Sequence, residues 1–227
     1  MEDRVRLLLI IVGVALAGCD KAAPAVPRPT VAAIAIRDVV PGYQQWGTEK
    51  FTVPKLEGSY DKHWYFTEEK RGEKHKDFVD ALTTATQKYD AVDVWLLAHG
   101  NRYIEWVAEL PAADRARIRL VYNTGGGDSD QGRSWLRLGA QAYVGHPGGN
   151  VAPLFYLRFL PLWVEGKPLK DAVDEANKAM KDDLDSSVAR LLENVAGNPG
   201  DLKKLEAGTD AEIFGNAAMK HAGKSGR

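Results

Sequence analysis

Residues 92–111, VDVWLLAHGNRYIEWVAELP, place a strand of buried type directly before a helical pattern. The apolar run at 94–97 is typical of a strand inside a parallel sheet, and it stops at His99-Gly100. Apolar residues then recur at helical spacing, at Tyr103, Val107 and Leu110. A strand that leads straight into a helix is the repeating unit of an α/β fold, which this stretch therefore predicts.

The same alternation continues on both sides of this stretch. Strands are predicted at 31–36, 64–67, 92–98, 118–122 and 140–144. Helices are predicted at 74–88, 103–110, 128–138, 151–166, from 168 to about 195, and at 201–207. Residues 41–60 show no clear period and are predicted as loop and short strand. Single helices between strands predict a three-layer α/β fold, with a mostly parallel, Rossmann-like sheet and helices on both faces.

Three loops follow the carboxyl ends of predicted strands, at 99–101, 123–128 and 145–150. In open α/β sheets ligands bind beyond these ends, so we expect the loops to share one rim. The candidate binding residues on this rim are His99, Gly100, Asn101, Asn123, Thr124, Asp128, Ser129 and His146. The aromatic segment at 46–64 is a second candidate surface.

The N-terminus has the pattern of an export signal. Arg4 and Arg6 precede an apolar run at 7–18, which is shorter than the about 20 residues that a membrane-spanning helix needs. Leu16-Ala17-Gly18-Cys19 resembles the lipobox of bacterial lipoproteins, which implies acylation (palmitate-type lipid) at Cys19. The protein is then expected in the bacterial cell envelope, held on the inner or outer membrane by its lipid. The alternative is a short apolar N-terminus on a soluble protein.

These features divide the chain into four regions. Residues 1–18 are the predicted signal peptide, and 19–30 are the acylated cysteine with a proline-rich tether. Residues 31–219 are predicted to form a single α/β domain, and 220–227 a disordered tail.

Composition excludes several classes of function. The 30 basic and 31 acidic residues nearly balance, so no nucleic-acid partner is predicted. Cys19 is the only cysteine, so the mature body has no intramolecular disulfide, thiolate metal site or cysteine nucleophile. No metal site and no cofactor are predicted. Two weaker hypotheses are a metal held by His99, His146 and Asp128, and a phosphate at the triple glycine 125–127.

Four segments, in this order, resemble the caspase-like fold of clan CD cysteine peptidases, in its bacterial CHAT-type form: VDVWLLAHG, IRLVYNTGGG, LRLGAQAYVGH and EGKPLKDAVDEANKAM. The resemblance covers residues 93–180. By this resemblance His99 with Gly100 matches the catalytic histidine and its glycine, whereas Gly125 occupies the place of the nucleophilic cysteine. Since glycine has no nucleophilic side chain, the resemblance implies an inactive pseudopeptidase. Such a domain is expected to serve as a binding or scaffold module for a peptide or protein.

Two other functions are consistent with the same residues. Ser129 or Thr124 could act as a nucleophile with His99 in a hydrolase, with Asp128 orienting the imidazole. An envelope lipoprotein with a purely structural role, without a discrete ligand, is the third hypothesis.

Overall fold

The computed structural model describes residues 28–40, 42–148, 152–184 and 210–223, which form an α/β fold around one sheet. The strands are β1 (Val31–Arg37), β2 (Lys62–Thr67), β3 (Ala91–Leu97), β4 (Ile118–Gly126), β5 (Ala142–His146) and β6 (Glu212–Gly215). Their order across the sheet is β2-β1-β3-β4-β5-β6. Neighbours pair in parallel, except that β6 runs antiparallel to β5. The predicted mostly parallel α/β sheet is confirmed.

Helices cover both faces of the sheet. They are α1 (Gly42–Gly47), α2 (Val53–Ser59), α3 (His75–Lys88), α4 (Arg102–Ala108), α5 (Ala112–Arg115), α6 (Gly132–Leu138), α7 (Ala152–Val164) and α8 (Leu169–Leu184). A π-helical turn (Thr48–Thr52) joins α1 to α2, and a 3-10 turn (Ser129–Gln131) precedes α6. Gly139 ends α6 with a φ of +116°, the left-handed conformation expected of a glycine at this position.

Each face of the sheet has its own apolar core. On one face, α3, α4 and α6 bury Phe78, Trp106 and Trp135 against strand residues such as Ile34 and Val94. On the other face, α2, α7 and α8 bury Leu56, Phe159 and Val173 against Ala33 and Trp95. Because the central strands β1 and β3 are covered on both faces, their residues are apolar on both faces instead of alternating, apart from the buried Arg37 and Asp93.

The segment at 41–60 was predicted as loop and short strand, and this prediction is wrong. Residues 42–59 are helical throughout. Their inward positions Thr48, Thr52 and Leu56 are four residues apart and buried, but the first two are polar. The apolar period that signals an amphipathic helix is therefore missing from the sequence.

Strand boundaries at the carboxyl ends also differ from the prediction. Residues 123–126, expected in a loop, continue β4, and His146, also expected in a loop, ends β5. The antiparallel strand β6 was not predicted, since only four residues of a largely polar segment form it. His221 was placed in a disordered tail, but it is 5% exposed and packs into the fold.

Several sequence predictions fall outside the described residues. These are the signal peptide at 1–18, the acylated Cys19 with most of its tether, the extension of α8 to about 195, and the helix at 201–207. None of the helices in the described part of the chain is long and apolar enough to cross a membrane.

Candidate functional site

The ends of β3 and β4 meet at one edge of the sheet. Leu96 pairs with Asn123 in the parallel register, and the Ala98 N–H donates to Oδ1 of Asn123 at 3.3 Å. The Gly127 N–H donates to the Gly148 carbonyl at 3.1 Å, which joins the loop after β5 to the same edge. The predicted convergence of the three carboxyl-end segments is confirmed for the described residues, which include 145–148 of the third segment. We call this edge the rim.

The Asn123 side chain holds the rim together. Its Oδ1 atom also accepts the Gly125 N–H at 2.9 Å, while its Nδ2 donates to Oδ2 of Asp128 at 3.0 Å. Asn123 is 1% exposed, so all of these hydrogen bonds are buried. This residue is therefore a structural bracket between β3 and the turn after β4, not a surface for a ligand.

Asp128 is a buried carboxyl group at the centre of the rim. Gln131 donates to its Oδ1 at 2.7 Å, and its own N–H donates to the His146 carbonyl. Burial raises the pKa of Asp128 to about 7, and the charge of Asp130 adds to this rise. Hydrogen bonds from the Gly100 N–H and from Asn123 act in the opposite direction. The carboxyl group is therefore only partly ionised near neutral pH.

His99 stands beside Asp128 and faces solvent. Its Nδ1 lies 4.0 Å from Oδ2 of Asp128, and 61% of its side chain is exposed. Two guanidinium groups donate to its backbone carbonyl, Nη1 of Arg102 at 3.1 Å and Nη2 of Arg71 at 3.4 Å. The backbone of His99 is thus anchored while its imidazole remains accessible.

Gly125 has no room for a side chain. A Cβ atom built on it would overlap the backbone carbonyl of Ala98 and come within 2.6 Å of Oδ2 of Asp128. A carbon atom and an oxygen atom that are not bonded cannot approach so closely. A cysteine in this place would therefore require the backbone of β3 or β4 to move. The backbone conformation at the end of β4 therefore excludes a nucleophilic side chain at this position.

The two hydroxyl groups considered as nucleophiles lie in different surroundings. Thr124 is 1% exposed and its Oγ1 donates to the Leu96 carbonyl at 3.2 Å, so its hydroxyl is committed to the interior. Ser129 opens the 3-10 turn directly after Asp128 and is half-buried.

His146 was expected on the accessible rim, but its side chain is fully buried. Its ring packs against Tyr122 and Phe155, with Nε2 3.4 Å from the Tyr122 hydroxyl. Because β5 extends through residue 146, strand geometry turns this side chain toward α7. Within 28–40, 42–148, 152–184 and 210–223, no three His, Cys, Asp or Glu side chains are grouped to hold a metal ion.

A buried charge network next to His99 was missed from the sequence. Nη2 of Arg102 lies 2.5 Å from Oδ1 of Asp38 and 2.7 Å from Oε2 of Glu68, and both acids are buried. Although burial raises the pKa of Asp38, hydrogen bonds from Arg102 and from backbone N–H groups leave it below its ordinary value. Asp38 and Glu68 directly follow β1 and β2, so the same rule of carboxyl ends would have found them.

The rim thus offers an exposed imidazole, exposed loop backbone and a carboxyl group that titrates near neutrality. Exposed positions beside His99 are Gly100, Asn101 and Gly127. This combination can donate and accept hydrogen bonds with a polar ligand. It does not align a nucleophile with the imidazole among the β4 residues, since Gly125 has none and the Thr124 hydroxyl is buried.

We compared the chain with protein-family models, with curated proteins and with solved structures, and no match was found in any of the three comparisons.

Proposed function

We propose that this chain is a membrane-anchored bacterial lipoprotein whose α/β domain is an inactive caspase-like module that binds a peptide or protein partner at the rim. One observation carries the non-catalytic part of this proposal. The position that the resemblance assigns to the nucleophile, Gly125, is closed to any side chain by the Ala98 carbonyl. The imidazole assigned to the same pair, His99, remains exposed.

The exposure of the rim residues favours a peptide over a small enclosed ligand. Its exposed groups, including His99, Gly100 and Asn101, belong to an open loop. Small-molecule sites are usually concave and largely apolar, whereas extended peptides are recognised by backbone and polar groups. Asn123 and the Arg102 network fix the loop from below, so a partner would meet a preorganised surface.

The point where the described chain enters the domain and the rim lie at opposite ends of β1. The chain enters this strand at Val31, and the rim lies beyond its other end, after Arg37. Seven residues in a strand span roughly 20 Å. We therefore expect the tether to join the domain at the end of β1 opposite the rim, so that the attachment point does not cover the rim.

The binding proposal is tested with the full-length protein in detergent micelles. Immobilised peptide libraries should retain the wild-type chain, and both His99→Ala and Asn101→Ala should weaken this binding by tenfold or more. His75→Ala is the matched control, because that half-buried histidine contacts Trp106 and Glu109 instead of the rim residues. Peptide or ester turnover that disappears in His99→Ala would overturn the proposal.

The lipid anchor has a separate test. Cells that express the chain are fed an alkyne-labelled fatty acid, and the protein is examined for incorporated label. The wild-type chain should carry label, and Cys19→Ala should carry none. Equal labelling of both would contradict acylation at Cys19.

One observation favours a hydrolase as the second candidate function. Asp128 could orient the His99 imidazole as a base toward Ser129, which is half-buried and adjacent to Asp128. A fluorophosphonate probe should then label the wild-type protein but not Ser129→Ala. Ser134→Ala, which removes another half-buried serine, is the control. Absence of labelling in the wild type would remove this candidate.

A further inference from the structure

The chain after β6 forms a strap, residues 216–223, that crosses the end of the sheet opposite the rim. It caps the first turn of α8, because the Leu169 N–H donates to the Met219 carbonyl at 2.8 Å and the Lys170 N–H to the Ala217 carbonyl at 2.9 Å. The first N–H groups of a helix have no partner within the helix, so the strap supplies acceptors that α8 otherwise lacks.

The strap also contacts the place where the chain enters the body. Arg28, three residues before the start of β1, donates from Nη1 to the Ala222 carbonyl. Arg119 of β4 donates from Nη1 to the Lys220 carbonyl at 3.2 Å. The position of the strap therefore determines the position of the end of the proposed tether.

His221 fixes the strap from the inside. The side chain lies in the interior, with Nε2 3.1 Å from the Ser59 carbonyl oxygen and Nδ1 3.3 Å from Nη2 of Arg119. A carbonyl oxygen can only accept a hydrogen bond, and a guanidinium can only donate. The two contacts are satisfied together only by a neutral imidazole that carries its proton on Nε2.

Among the described residues, the charged groups that act on His221 are Arg119, Asp93 and Asp61. Asp93 of β3 receives two hydrogen bonds from Arg119, at 2.9 and 2.6 Å, and a third from the Tyr60 hydroxyl at 2.7 Å. Asp61, which accepts the Val31 N–H, exerts a weaker attraction on the ring. The rings of Tyr60 and Trp163 enclose the remaining sides. A proton on Nδ1 would therefore face the Arg119 guanidinium, whose partner Asp93 already accepts three hydrogen bonds.

We propose that His221 is an acid-sensitive catch: its neutral ring holds the strap closed, and its protonation releases the strap from Arg119, from the first turn of α8 and from Arg28. Protonation removes the only acceptor that His221 offers to Arg119 and brings two cations to 3.3 Å. This inference is independent of the ligand proposed for the rim.

The direction of the response follows from the charge balance. Burial lowers the pKa of His221, and Arg119 lowers it further, while Asp93 and the Ser59 carbonyl act in the opposite direction. The folded pKa therefore lies below the ordinary value of 6.5. The contribution of the catch is complete above pH 6.5 and is lost as the pH falls through the folded pKa.

Hydrogen exchange on the full-length protein, measured between pH 7.5 and 5 and corrected for intrinsic rates, tests the catch. The amides of Leu169 and Lys170 should exchange at least tenfold faster at the acid end. The midpoint of that change should coincide with the titration of the His221 imidazole followed by NMR. Protection that does not change with pH, or a midpoint away from that titration, would overturn the proposal.

Two substitutions separate charge from packing. His221→Gln keeps a donor and an acceptor without a titrating group, so its strap should stay protected at acid pH. His221→Lys carries a fixed charge, so its strap should exchange fast already at pH 7.5. His75→Gln is the matched control and should respond to pH as the wild type does. A wild-type pH response in His221→Gln would overturn the proposal.

Discussion

Oδ2 of Asp128 lies 4.0 Å from Nδ1 of His99, so a buried carboxyl group and an exposed imidazole share the rim. An ionised Asp128 attracts a protonated His99, whereas a protonated Asp128 does not. The charge of the rim at neutral pH therefore depends on the Asp128 carboxyl group, whose pKa lies above its ordinary range.

We predict that the Asp128 carboxyl group titrates near pH 7, which is observed as a change in the NMR chemical shift of its side-chain carboxyl carbon. Burial raises the pKa of this group from 3.8 to about 7, and the titrating signal should be missing in Asp128→Asn. A signal that titrates near pH 4 would contradict the prediction.

The same shift makes a prediction about stability. A carboxyl group whose pKa is raised by folding stabilises the protein only below its folded pKa, so its contribution is lost as the pH rises from about 4 to 7. One pKa unit corresponds to roughly 1.4 kcal/mol, so the loss amounts to a few kcal/mol. Chemical unfolding at several pH values should show this decline in the wild type and not in Asp128→Asn. His221 has the opposite sign, since acid weakens its contribution.

Gly125→Ala should destabilise the fold strongly. The added Cβ would overlap the Ala98 carbonyl, and forced overpacking costs roughly 1–3 kcal/mol or more where backbone must move. Gly127→Ala is the comparison, because a Cβ there meets open space and the cost is limited to its φ of +80°, about 1 kcal/mol. Thermal or urea unfolding of both variants decides the matter, and equal stabilities would show that the turn can relax.

Asp93→Asn should be among the most damaging polar substitutions. It removes the charge that pairs with Arg119 through two hydrogen bonds in the interior and leaves the guanidinium without a partner carboxylate. Breaking one member of a buried ion pair costs roughly 3–5 kcal/mol. Asp174→Asn, which breaks the exposed pair with Lys170, should leave the midpoint of urea unfolding unchanged. A similar midpoint for both variants would contradict the assigned role of Asp93.

The tryptophans divide into structural and surface residues. Trp163 is fully buried and donates from Nε1 to the Tyr60 hydroxyl, so Trp163→Ala should cost roughly 3–5 kcal/mol. Trp46 is 56% exposed, so Trp46→Ala should change stability by less than about 1 kcal/mol. Urea unfolding of the two variants measures both values, and a large loss in Trp46→Ala would indicate that its contact with Phe51 is structural.

Sequence reasoning found the rim because parallel strands deliver their carboxyl ends to one edge. His99, Asn123 and Asp128 were placed together on that ground alone. The sequence did not reveal which side chains of the rim face solvent. Asn123 and Thr124 were expected in a loop, but β4 extends through both and buries them. Strand length depends on pairing with neighbours, and this information is not local to the residues.

Other parts of the fold escaped for a related reason. Arg102 lies in α4, and its partners Asp38 and Glu68 follow two distant strands, so no spacing along the chain connects them. The helical segment after β1 lacks an apolar helical period in its sequence, because two of its buried positions are the polar residues Thr48 and Thr52. β6 is stabilised by its pairing with β5, not by its own four residues.

The contact between Arg28 and the carbonyl of Ala222 brings the two ends of the body to one place. Chain ends that meet in this way allow circular permutation. A short linker from Gly223 to Arg28, with new ends opened between residues 184 and 210, would cut none of the described helices or strands. In such a permutant β6 would be synthesised first instead of last, and the order of the other strands along the chain would not change.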